Sequence, residues 1–118
     1  MKDPILLVIQ DQSLRQLYHE LIVSRSVEVV PVTSLEDALL IQSIRAHHQI
    51  VIYADDIPQS ELEIFINLQK KVEKLGKSKI VLLTSTPDQY STMLRTQDRI
   101  IDLRVCSPTD ITTEIVNL

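Results

Sequence analysis

The sequence has one glycine, one cysteine and no tryptophan in 118 residues, and aromatics make up 3% of it. Each shortage removes a class of function. With a single glycine, no G-x-G or G-x-x-x-x-G-K pattern can be written, so there is no glycine-rich phosphate loop and no cofactor is expected. A lone Cys106 excludes an internal disulfide and any cysteine-rich zinc site. Scarce aromatics remove the stacking platforms that grip single strands of nucleic acid. Positive charge is short as well: 12 Lys and Arg stand against 16 Asp and Glu, for a net charge of −4. A duplex-binding surface needs the opposite balance, so no direct nucleic-acid binding is expected. Long hydrophobic runs are also missing. Ile5 to Ile9 is too short for a signal-peptide core or a membrane helix, which points to a cytoplasmic protein without membrane contact.

What is present fits one globular domain. Hydrophobic residues make up 44% and charged residues 24%. A chain of this length buries about two-thirds of its unfolded surface, enough for a core without metals or disulfides. Ile5 to Ile9, Ile50 to Ala54 and Ile80 to Thr84 are apolar runs of strand length that do not alternate with polar residues. Strands covered on both faces of a parallel sheet read this way. Val27 to Val32 and Ile101 to Cys106 are more mixed and read as weaker or edge strands.

Helical periods fill the intervals. Leu14, Leu17, Tyr18, Leu21 and Ile22 share one helix face, with Ser13 as a candidate cap. Ser34 to Asp37 resembles a capping box ahead of Leu35, Ala38, Leu39, Ile41 and Ile44. Ser60 to Glu63 is a cleaner box, ahead of a stripe of Leu62, Phe65, Leu68, Val72 and Leu75 that Gly76 ends, with Lys74 in the last turn. Pro87 suits the first turn of a fourth helix with a thin face of Tyr90, Met93 and Leu94. Pro108 precedes a fifth helix built on Ile111, Ile115 and Leu118. Strand then helix, repeated along the chain, predicts an α/β fold: a doubly wound (βα)5 domain with a five-stranded parallel sheet, of flavodoxin-like type.

In such sheets the site lies beyond the carboxyl ends of the strands. Those ends carry Gln10 and Asp11, then Ala54, Asp55 and Asp56, then Thr84 and Ser85, and finally Ser107. With Ile5 to Val8 leading to Arg15, with Gln49 to Ala54 followed by Pro58, and with Ser107-Pro108 late in the chain, the sequence resembles a response-regulator receiver domain over essentially its full length. The resemblance implies a phosphoryl-transfer site: paired acids holding Mg²⁺, an acceptor aspartate, a hydroxyl and a lysine. In this sequence the acid-pair positions are Ile9 and Gln10, the acceptor is Ala54, the hydroxyl is Thr84 and the lysine is Ser107. Arg104 replaces the aromatic three residues before that lysine. Only Thr84 keeps its chemistry. The resemblance is therefore to a degenerate pseudo-receiver, not an enzyme, acting as a protein-interaction or dimerisation module in bacterial two-component-type signalling or transcription control. It spans 1–118 as one domain, either whole or the N-terminal part of a longer signalling protein.

Several alternatives stand beside this expectation. Asp11, Asp55 and Asp56 are weak metal candidates, and Asp55, one residue late, is a candidate atypical phosphoacceptor; all three also suit solvated turns and caps. Thr84 suits either a phosphate contact or strand-end packing. Adjacent His47 and His48 do not share a helix face, which disfavours a metal site. Cys106 reads as a small core residue, and the lysines from Lys70 to Lys79 as a solvated helix end and loop. The resemblance places the association face on the fourth helix and fifth strand, with Tyr90, Met93, Arg95 and Arg104 as contact candidates for a protein partner or a second copy. The third helix, where Ile64 and Ile66 widen the apolar arc, is a rival face. In the bland version, Met93 and Leu94 cover the sheet and Tyr90 caps its edge.

Overall fold

A computed structural model describes residues 4–23, 28–44, 49–72, 78–91 and 101–107. Their elements are β1 (Ile5–Val8), α1 (Gln12–Val23), β2 (Val29–Val32), α2 (Leu35–Ile44), β3 (Gln49–Tyr53), α3 (Gln59–Val72), β4 (Ser78–Leu83) and β5 (Ile101–Cys106). Short 3₁₀ turns cover Ala54–Asp56 and Pro87–Tyr90. All strands are parallel, in the order β2-β1-β3-β4-β5. This α/β sheet order is the flavodoxin-like one. Three α-helices are described; the fifth-helix segment after Pro108 and the fourth-helix residues beyond Ser91 lie outside the described residues. So do Val27, His47, His48, Lys74, Leu75, Gly76, Met93, Leu94 and Arg95.

The alternation of side chains along each strand sorts the core into two layers. Leu6, Val8, Ile50, Ile52, Ile80 and Leu82 face α2 and α3, meeting Ala38, Leu62, Phe65 and Ile66. Ile5, Leu7, Ile9, Val51, Val81 and Leu83 face α1 through Tyr18 and Ile22. Because both faces are covered, the central strands read as unbroken apolar runs. Each fully buried Leu, Ile or Phe contributes about 2 kcal/mol. The two strands expected at the edges, β2 and β5, are at the edges, and β2 tolerates the exposed Pro31 because an edge strand need not donate every N–H.

Helix starts and stripes differ from expectation in detail. Asp11, not Ser13, caps α1, its Oδ1 accepting the Leu14 N–H at 2.9 Å. Ser34 caps α2 by accepting the Asp37 N–H at 3.1 Å, while the Asp37 carboxylate takes the Thr33 hydroxyl instead of closing the box on Ser34. Helix α3 begins at Gln59, with backbone bonds to the Pro58 carbonyl, so Ser60 sits inside its first turn. Its buried face is Leu62, Phe65, Ile66 and Gln69, while Leu68 is 37% exposed. On α1, Leu17 is turned outward and is 56% exposed. Amide atoms of Gln49 and Gln69 are buried with no hydrogen-bond partner among the described residues, an exception to the usual pairing of buried polar groups.

Candidate functional site

The carboxyl ends of β1, β3 and β4 form one rim, and the chain leaves each strand differently. After β1, Ile9 stays in the core at 0% exposure and Gln10 turns outward. Arg15, one turn into α1, folds back so that its Nη1 donates to the carbonyls of Ile9 at 2.9 Å and Gln10 at 3.2 Å. Asp11 is spent as the helix cap. After β3, the 3₁₀ turn takes Ala54 inward, to 1% exposure among the α2–α3 layer, and leaves Asp55 and Asp56 exposed.

Asp55 reaches across to the end of β4. Its Oδ1 accepts the Thr84 hydroxyl at 2.6 Å; its Oδ2 accepts the Ser85 hydroxyl at 2.9 Å and the Ser85 N–H at 3.1 Å. The Thr84 oxygen in turn accepts the Thr86 N–H at 3.0 Å, and the Thr86 hydroxyl donates to Gln89 Oε1 at 2.9 Å. Each hydroxyl has one proton to give. Those of Thr84 and Thr86 are thus already assigned, and the 3.3 Å approach of their oxygens is proximity only. Partial burial pushes the Asp55 carboxyl up, but the donors from Thr84 and Ser85 outweigh it and hold it below the ordinary value, so it is ionised near neutrality.

Charge accumulates around this rim. Burial, and then the charges of Asp55, Asp56 and Asp11 in that order, push the Tyr53 hydroxyl up. The Tyr90 hydroxyl is raised by burial and by Asp55, with the Thr84 side chain opposing. Tyr90 is 1% exposed and joins the α2–α3 layer of the core, so it cannot be the surface contact expected of it; Pro87 starts a 3₁₀ turn that carries the ring inward over the end of the sheet. Arg104 is exposed on β5 and pairs with Asp102 at 3.2 Å, two residues away on the same strand face. Cys106 is buried, 9% exposed, in the α1 layer. Ser107 follows β5 and is half-buried.

The arrangement does not fit a magnesium ion at the positions the receiver resemblance assigns. Magnesium takes oxygen ligands in near-octahedral geometry. Ile9 and Ala54 have no side-chain oxygen to give, Gln10 has an amide oxygen but no charge, and the carboxylate of Asp55 already accepts Thr84 and Ser85. Among the described residues, no three His, Cys, Asp or Glu are grouped as a metal ion would require. Asp55 and Thr84 are brought together; Asp11 caps α1, and Asp56 is exposed beside Asp55. Ser85, placed at the strand end by the sequence, belongs to the network, together with Thr86 and Gln89, which the sequence reading does not single out. The signal for them was the hydroxyl run Thr84-Ser85-Thr86 between a strand and Pro87.

Comparison with protein-family models, curated proteins and solved structures finds no match for the chain. Among the described residues, no helix is long and apolar enough to cross a membrane.

Proposed function

We propose that this chain is a phosphorylation-independent pseudo-receiver, a protein-interaction or dimerisation module with the full doubly wound (βα)5 arrangement, acting in bacterial two-component-type signalling or transcription control. The observation that carries this reading is the buried methyl of Ala54 at the end of β3, where the resemblance puts the phosphoacceptor. The sheet order and the loss of donors at Ile9 support it. The hydroxyl that would steady a phosphoryl group, Thr84, instead donates to Asp55 at 2.6 Å. Partner or second copy would meet the fourth-helix and fifth-strand face. There Arg104 is exposed, Tyr90 is withdrawn into the core, and Met93 and Arg95 lie outside the described residues.

A second reading, an atypical receiver using Asp55, is favoured by one observation: that carboxylate is exposed, ionised and beside a threonine hydroxyl. Incubation with acetyl phosphate and Mg²⁺, followed by intact mass, separates the two. The pseudo-receiver gains no mass. A gain of one phosphoryl group mapped to Asp55 would replace the first reading with the second.

A further inference from the structure

Away from Asp55, a cleft of about 370 Å³ opens between α2 and α3. Its wall is apolar, from Leu35, Leu39, Ile64 and Phe65, and its rim carries Glu36 and Glu61. A second hollow of about 240 Å³ shares Ser34, Leu35 and Glu61 with it and extends to Gln10, Asp56 and Ile57 at the rim of the sheet. The shared residues set the two hollows side by side, a groove in two parts. Among the described residues no lysine or arginine lines either part, and α2 (Leu35–Ile44) contains no basic residue. Alongside, Ile64 is 60% exposed and Leu68, one turn on, is 37% exposed. Neighbouring large apolar groups left in water next to a cleft are the mark of an interaction surface.

We infer that this groove docks a cationic amphipathic helix of another protein, its apolar stripe on Leu35, Leu39 and Ile64 and its Lys or Arg side chains on Glu36, Glu61 and Asp56. Helix-in-groove binding uses apolar anchors a turn apart, with charge complementarity choosing the partner. Charge also selects against a second copy of this chain. A two-fold interface would set Glu36 and Glu61 near their own equivalents, and the chain as a whole carries −4. This surface includes neither Tyr90 nor Arg104 and does not depend on the receiver reading.

The test uses the full chain and a fluorescein-labelled helical peptide of about 18 residues, long enough for five turns, made of Leu and Lys in amphipathic order. Fluorescence anisotropy is expected to show saturable binding that weakens with added salt. Ile64→Asp should weaken it about tenfold or more, as should Glu36→Lys with Glu61→Lys. A Leu/Glu peptide of the same pattern should not bind. All three substituted side chains are exposed, and an unchanged urea midpoint confirms that the variants fold. If Ile64→Asp does not fold, the glutamate reversals decide alone. The proposal is overturned by absence of saturable binding, by equal binding of the Leu/Glu peptide, or by affinity unchanged in the charge-reversed variant. It is also overturned if sedimentation finds a dimer that Ile64→Asp dissolves, since the groove would then belong to a second copy.

Discussion

At the β1 corner of the rim, side chains bond to backbone nearby in sequence. Asp11 accepts from Leu14, and Arg15 donates to Ile9 and Gln10. At the β3–β4 corner, Asp55 bonds to Thr84 and Ser85, which are 29 and 30 residues away. The first corner can form with its own strand and helix. The second exists only once β3 and β4 are paired, so it reports on tertiary structure. Both corners put an apolar side chain, Ile9 or Ala54, where the receiver resemblance calls for a carboxylate, and in both an acid, Asp11 or Asp55, is bonded to the protein itself.

The harshest way to break this comparison is to put the carboxylates back. Ile9→Asp and Ala54→Asp each bury an acid at a position 0% and 1% exposed. No cation is bonded at Ala54, and the guanidinium beside Ile9, that of Arg15, is held by the Ile9 and Gln10 carbonyls; a buried charge without a partner is strongly destabilising. Each should lower stability by about 3 kcal/mol or more in urea unfolding. Ala54→Asp should also fail to take up phosphate. A nearly neutral Ala54→Asp would mean that the β3 corner has room for an acceptor, and the corners would no longer be alike.

Removing Asp55 tests the long-range corner. The carboxylate is exposed, which discounts its charge, but Thr84 beneath it is fully buried and would lose its acceptor. Asp55→Ala should cost about 2 kcal/mol and Asp55→Asn about half of that, since an amide oxygen still accepts from Ser85. Folding lowers the Asp55 carboxyl from its ordinary value of 3.8. Its contribution is therefore fully present above that value and is lost as pH falls below it through the folded value. Urea midpoints across the acid range should show wild type losing more stability than Asp55→Asn below about pH 4. Parallel curves would remove the carboxylate from the account of this corner.

The local corner should respond more weakly. Asp11→Ala loses one helix cap, about 1 kcal/mol, and Asp11→Asn recovers most of it. Ser13→Ala should be nearly silent, because Ser13 lies inside the helix. Combining Asp11→Ala with Asp55→Asn should give additive losses within about 0.5 kcal/mol if the corners are independent. Coupling well beyond that would join them into one unit.

The same contrast governs what was legible beforehand. Buried parallel strands leave apolar runs, so β1, β3 and β4 were visible within a residue or two, and the mixed edges β2 and β5 were visible for the complementary reason. Asp11 and Ser13 both satisfy the capping preference; the point where the chain leaves β1 decides between them, and a local pattern does not hold that information. On α3, sequence spacing puts Leu68 in the stripe with Leu62 and Phe65 and leaves Ile66 outside it. Packing on the sheet chose Ile66 and buried Gln69 against its polarity. Ala54 and Thr84 stood out by position, but the bond from Thr84 to Asp55 depends on strand order. A turn residue at Asp55 gave no sign of it. Tyr90 was read from helical spacing, and a 3₁₀ turn put it inside.

The smallest expected effect lies outside both corners, on β5. Arg104 and Asp102 form a surface pair with side chains 47% and 30% exposed. Such pairs are worth about 0.5 kcal/mol or less, because water already solvates both charges and holding the long side chain costs entropy. Arg104→Ala should therefore leave the urea midpoint almost unchanged. That near-silence makes the variant useful, because an effect on association cannot then be blamed on misfolding. If copies of the chain meet through the fifth strand, sedimentation at high concentration will show a dimer in wild type that weakens in Arg104→Ala, with or without acetyl phosphate. A dimer unchanged by Arg104→Ala but dissolved by Ile64→Asp would move the contact to the groove between α2 and α3. Dependence on acetyl phosphate would instead return a working acceptor to the β3–β4 corner, where Asp55 is the one exposed carboxylate bonded to Thr84.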